Sequence, residues 1–309
     1  MPVAHAHEGT PPAPHDIWTA WNWEPAILLG LVLATYIYAR GVAALWRRAG
    51  CGRGVRRWQT GAYVAGLLAL SVALISPLNA LGTALLSAHM VQHLAIILVA
   101  APAIVLGAPI VPFLWALPED TRRSLPGWWR RMPLMRVCWT LLSQPLVVWG
   151  LHTMVLWIWH LPTLYQAALR DEFVHGLEHA SFLAAASLFW WTLVHTGARA
   201  RLGGHGAGVL FVFTTAVQGS ALGALMTFVR TPWYPAYAPS TLAWGLSPLE
   251  DQQIAGLIMW MPASFVYVAA SIVLVVAWLQ AAERRVTGSS ATSRPWSGQP
   301  PPRDEAVTE

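Results

Sequence analysis

The chain reads as an all-α polytopic membrane protein of seven transmembrane helices, with its N-terminus outside and its C-terminus cytoplasmic. Three observations carry that reading. Hydrophobic residues make up 56% of the 309 positions and charged residues only 11%, far below the share of about 25% in soluble domains. Seven apolar stretches are long enough to cross about 30 Å of hydrocarbon, which takes roughly 20 helical residues each. The basic residues, all of them Arg, concentrate on one side of a seven-helix thread. A net charge of +5 placed in that way is a topology signal, so a lipid bilayer is the expected partner and nucleic acid is not.

The polar, Pro-rich stretch 1–24 reads as an outer tail without the basic and apolar regions of a cleavable signal. The transmembrane domain covers 25–285, with segments near 25–46, 59–76, 83–107, 139–160, 175–195, 207–229 and 254–280. Lipid supplies no hydrogen-bond partners, so each must be a helix. Pro77, Pro109, Pro162 and Pro232 lie just past helix ends, where a residue without an N–H is expected. Pro102 and Pro262 lie inside segments three and seven and predict kinks. Residues 286–309, rich in Ser, Pro and Gly, read as a disordered cytoplasmic tail.

Orientation follows from Arg. Arg47, Arg48, Arg53, Arg56 and Arg57 fill one loop, and Arg122, Arg123, Arg130, Arg131 and Arg136 fill another. Arg199, Arg201, Arg284 and Arg285 fall on the same side, which leaves only Arg170 and Arg230 opposite. The positive-inside rule makes the crowded side cytoplasmic. Trp18, Trp157, Trp159 and Trp233 then fall near the outer interface, and Trp46, Trp58, Trp190 and Trp191 near the inner one. An aromatic belt is their plain reading.

This threading brings six histidines into one leaflet. At 1.5 Å per residue, His89 lies roughly 9 Å below the outer face and His93 one turn deeper. His160 ends segment four with His152 about 12 Å beneath it, and His175 starts segment five with His179 about 6 Å deeper. HMVQH (89–93) and HGLEH (175–179) have the i, i+4 spacing that puts two imidazoles on one helix face, as a bidentate metal clip requires. A single such pair also serves helix-to-helix hydrogen bonding. Two pairs plus His152 and His160 at one depth point to a metal, and neutral imidazole suits copper, zinc and iron.

Glu178 lies within segment five beside His179, where an unpaired carboxylate is costly. It can orient an imidazole, stand protonated or cap a neighbouring helix. Asp251 opens segment seven and reads first as an N-cap, second as a group facing the pocket. Thioethers favour Cu(I), and Met226 and Met259 rank first among Met residues that also serve as core filler. His195 and His205 fall at the inner end. His5, His7 and His15 lie in the outer tail, where metal capture competes with simple solvation. Cys51 and Cys138 are too few for a disulfide framework or a CxxC site.

HMVQH followed by APAIVLGAP, WIWHLPTLYQAAL, VHGLEHASFLAAASLFWW and SPLEDQQIAGLIMW, in that order, resembles the seven-helix CtaG family over roughly 60–280. These are cytochrome c oxidase assembly factors of bacterial plasma membranes, distinct from the single-span copper chaperone that shares the name. The resemblance implies oxidase subunits as partners and copper as cargo, with a periplasmic or extracellular copper chaperone as a possible donor. It also implies His89, His93, His160, His175, His179 and Asp251 as the functional set. His152 joins them from depth alone. Two other readings stay open. One is an intramembrane zinc hydrolase with Glu178 as base, although HExxH is absent. The other is a b-type haem protein with axial histidines on facing helices.

Overall fold

The computed structural model describes residues 12–195 and 205–292. His5, His7, Arg199, Arg201 and the tail from Ser293 lie outside the described residues. Among those described, every regular element is a helix. We number the helices α1 (Pro25–Ala49), α2 (Arg57–Ile75), α3 (Pro77–Ala84), α4 (Leu86–Leu106) and α5 (Ile110–Ala116). Next come α6 (Glu119–Arg131), α7 (Pro133–Leu142), α8 (Pro145–Trp159), α9 (Pro162–Arg170) and α10 (Glu172–Val194). The last are α11 (His205–Phe228), α12 (Ala238–Thr241) and α13 (Pro248–Thr292).

Among the described residues, five helices are long and apolar enough to cross a membrane: α1, α2, α4, α11 and the Pro248–Glu283 part of α13. The chain is thus a multi-pass membrane protein. The expected fourth segment begins later than its hydropathy predicts. Trp139 belongs to α7, and the chain bends by 72° between α7 and α8. Pro145 starts α8 and Gln144 before it is extended, as the clash of a proline ring with the preceding residue demands. The expected fifth segment is α10, whose 23 residues would reach roughly 34 Å. It falls outside the apolar five, and the polar side chains of His175, Glu178 and His179 lower its hydropathy.

Half of the most apolar stretch of α4 is buried, against a third or less in the other spans, so α4 is the central helix. Its first two turns bury Leu86, Ser87, Ala88, His89, Met90, Gln92 and His93, all but the strip at Val91. Such a helix must have protein on most of its sides. Ahead of Pro102, residues Ala95–Ala100 widen into a π-helical stretch. A proline removes one N–H from the ladder, and a local change of hydrogen-bond register absorbs the loss. Pro262 lies inside α13, which runs on as one helix to Thr292, past the expected start of the tail.

The α11–α13 crossing is set by small residues. A Cβ on Gly256 would lie 2.4 Å from Thr227 Oγ1 and 2.6 Å from the Gly223 carbonyl, so only glycine lets the two backbones meet there. Two tryptophans assigned to the interfaces are instead buried. Trp190 donates to the Ile97 carbonyl at 2.9 Å and Trp159 to Ser181 Oγ at 2.7 Å. An apolar body with one satisfied N–H suits a helix contact as well as an interface. On the Arg-rich side, Arg48 donates to Glu119 at 2.7 Å. That bond, with Arg123 alongside, holds the Glu119 carboxyl below the usual carboxylate range.

Candidate metal centre

The two HxxxH pairs face each other across the α4–α10 contact. His89, His175, Glu178 and His179 each offer one ligand atom, and all four atoms lie within 4.8 Å of one another. His93 borders them, its ring centroid 4.3 Å from that of His89 and 5.4 Å from that of His179. Glu178 stands at the focus, fully buried, 3.6 Å from His89 Nε2 and 3.5 Å from His93 Nε2. Of these four candidate residues, only His175 is partly exposed.

The hydrogen-bond accounting makes this set unusual. Nε2 of His89, His175 and His179, both ring nitrogens of His93 and both Glu178 oxygens are buried without a partner. Buried polar atoms are nearly always paired, because each unpaired one costs about 1–3 kcal/mol. Seven such atoms around one point form a donor set in search of an electron-pair acceptor. Three imidazoles and one carboxylate fit a first-row divalent ion.

Tyr237 fixes how His89 presents itself. Its hydroxyl donates to the Gly82 carbonyl at 2.8 Å and lies 3.0 Å from Tyr165 Oη and 3.3 Å from His89 Nδ1. With its own proton spent on a carbonyl, Tyr237 can only accept from the other two. His89 therefore carries its proton on Nδ1 and turns a bare Nε2 lone pair toward Glu178. This is the outer-shell arrangement that orients metal-binding histidines. Gly82 packs closely here: a Cβ would lie 3.1 Å from Gln92 Oε1, which would have to shift by a few tenths of an ångström, and 3.5 Å from His89 Cα.

The seven candidates from sequence separate into three groups. His89, His175 and His179 form the centre, with His93 at its edge. His160 and His152 line a cavity beside it. His152 stacks on Phe189 with centroids 5.2 Å apart. Asp251 is elsewhere and caps a helix. Its carboxylate accepts from Leu86 N at 2.6 Å, from Ser87 N at 3.2 Å and from the Ser87 hydroxyl. It thus caps α4 from across the structure instead of capping its own helix, which corrects its N-cap reading, and it stands outside the four converging donors. His195 pairs with the Trp191 carbonyl at 3.1 Å, at the far end of α10. His15 is exposed beside Asp16. Met226 is buried and outside both groups.

Sequence reasoning missed Tyr165 and Tyr237, and treated Glu178 as one of several possibilities. The only local signal for Glu178 was its position beside His179. Nothing local marks Tyr237, which reaches His89 across 148 positions.

A bundle of membrane helices around a buried cluster of histidines and one glutamate defines a class: multi-pass membrane proteins with a polar centre inside the bundle. The family model for the cytochrome c oxidase caa3 assembly factor (Caa3_CtaG) matches residues 36–281, and the chain belongs to that family. It is also 27% identical over 283 residues to uncharacterized proteins of Mycobacterium bovis and Mycobacterium tuberculosis, covering 89% of this chain and 42% of theirs. An uncharacterized protein of Mycobacterium leprae is 24% identical over 274 residues, or 87% of this chain and 41% of its own. The chain therefore spans less than half the length of these relatives. No solved structure matches it.

Proposed function

We propose that this chain is a seven-span plasma-membrane protein. It holds copper at His89, His175, Glu178 and His179 and supports its delivery to a subunit of haem–copper cytochrome c oxidase. The observation that carries the reading is the convergence of unpartnered buried donors from α4 and α10 in a member of an oxidase assembly family. Copper here is cargo, so the site must release it as well as bind it. Exchangeable imidazoles, with His175 partly exposed, suit that role. A periplasmic or extracellular copper chaperone is the proposed donor.

Seven spans follow if the bent α7–α8 pair counts as one and α10 as another, beside the five apolar helices. The Arg asymmetry then sets the N-terminus outside. A reporter fused after Arg285 is expected to be active only in the cytoplasm, and one in the 231–250 loop only outside. A reversal at either site contradicts this orientation.

The geometry favours cargo binding over the two alternatives. A catalytic zinc keeps an open position beside three protein ligands, whereas four ligand atoms converge here and Glu178 is one of them. A b-type haem needs a slot of roughly 300 Å³ or more, and the cavity beside the histidines measures about 50 Å³. We therefore read the chain as a non-catalytic assembly factor.

Ligands of one ion share a single binding free energy, so their losses are not additive. Copper affinity measured for His89→Ala, His179→Ala and the double variant is expected to show coupling of about 1 kcal/mol or more. Affinity is also expected to fall as pH drops toward 5, because protons compete for the imidazoles. Strictly additive losses would indicate separate sites. His195→Ala, at the far end of α10, is expected to bind copper like the native chain.

A further inference from the structure

At Met90, the residue after His89 on α4, a second set of donors meets beside the His/Glu centre. We propose that His160, Met90 and Met259 form a distinct, softer site that takes Cu(I). The inference rests on the copper reading for its cargo but on different atoms for its geometry.

His160 Nδ1 lies 2.7 Å from the Leu156 carbonyl oxygen. A carbonyl can only accept, so Nδ1 carries the proton and the neutral ring presents Nε2 as a bare lone pair. That nitrogen faces Met90 Sδ at 3.4 Å, and a thioether is itself an acceptor without a proton to give. Two electron-pair donors therefore point at one another in a buried place, where neither is exposed beyond a few per cent. An electron-poor partner resolves the contact. With legs of about 2.0 Å to nitrogen and about 2.3 Å to sulfur, an ion would see the 3.4 Å separation under roughly 104°, close to tetrahedral.

The remaining donor stands nearby. Met90, His160 and Met259 line the same cavity of about 50 Å³, whose other walls include Leu94, Ile97 and Tyr267. Thioether sulfur with one imidazole in an apolar shell selects Cu(I) over harder divalent ions. His93 belongs to both places. It borders this cavity, its centroid lies 6.2 Å from that of His160, and its Nε2 lies 3.5 Å from Glu178 Oε1. Its two unpartnered nitrogens make it the wall between a nitrogen–oxygen centre and a sulfur-rich one. The ion binds and leaves this second site as Cu(I), and no electron transfer is involved.

Both cysteines are free and exposed, so the test uses the full chain carrying Cys51→Ser and Cys138→Ser. Cu(I) is added anaerobically and copper X-ray absorption is recorded. Sulfur scattering near about 2.3 Å is expected. Met90→Leu and Met259→Leu, close in volume to the native residues, are each expected to weaken or remove it. In competition with a Cu(I) chelator, each should also lower affinity about tenfold or more. Cu(I)-loaded protein without sulfur scattering overturns the proposal, and this needs no substitution at Met90 or Met259. So does scattering and affinity unchanged in both Met variants. Failure of the His/Glu reading has a different signature: Cu(II) fails to bind while the Cu(I)–sulfur signal persists.

Discussion

Glu178→Gln is expected to lower copper affinity by about 10²-fold or more while leaving the membrane fold intact, and to lower the amount of active oxidase in the cell. Outer-shell partners of a metal site are already worth about 10–100-fold, and Glu178 supplies the only charged donor among the four converging ligands. The amide keeps the shape of the carboxylate. Its NH2 can also donate to the unpartnered Nε2 of either His89 or His93, which now lie 3.6 and 3.5 Å from different Glu178 oxygens. Stability without metal should therefore hold or rise. What disappears is the stabilisation that added copper confers through mass action. Thermal unfolding with and without copper separates the two effects. A variant that binds copper within threefold of the native chain would remove Glu178 from the ligand set.

Asp251→Ala carries the largest expected cost to stability. Its carboxylate satisfies the Leu86 and Ser87 amides and the Ser87 hydroxyl at the buried start of α4. Charge-assisted bonds are worth about 1.5–3 kcal/mol each, and orphaned buried donors carry their own penalty. A loss of about 3–5 kcal/mol follows. His89 begins one turn after this cap, so copper binding should weaken as well, with stoichiometry retained. Asp251→Asn keeps an acceptor oxygen and should lose only part of the stability. The measurements are the unfolding midpoint and the copper stoichiometry of both variants. Native stability with lost stoichiometry would instead make Asp251 a ligand.

The contrast between Asp251 and the histidine pairs shows what could be read from the chain alone. HMVQH and HGLEH declare their geometry locally, because i, i+4 spacing fixes one helix face wherever the helix lies. Depth along a span then placed both pairs in one layer, but only the structure shows that α4 and α10 bring them together. The Asp251 contact joins residues 164 positions apart, and no local pattern distinguishes a cap on a neighbouring helix from one on its own. Asp251 holds the first turn of the helix that carries His89, yet it does so as a cap on Leu86 and Ser87. Likewise, Tyr237 looked like any loop aromatic.

Hydropathy located the helices and misjudged their ends where polarity and geometry disagree. Segment seven starts at Pro248, ahead of its apolar run, because Glu250, Asp251 and Gln252 are polar yet helical. Segment three starts at Leu86 because extended Leu85 separates it from α3. The α7–α8 bend is invisible to a hydropathy window, since apolar residues flank it on both sides. Pro145 was its only mark.

Electron paramagnetic resonance of Cu(II) titrated into the purified full chain tests the copper centre most directly. Saturation at one tightly bound ion with nitrogen hyperfine structure from several imidazoles is the expected result, and it should vanish in a chain carrying both Glu178→Gln and His179→Ala. Copper that stays loosely bound and free of nitrogen coupling, or a spectrum unchanged in that double variant, would contradict the assignment of this centre to copper.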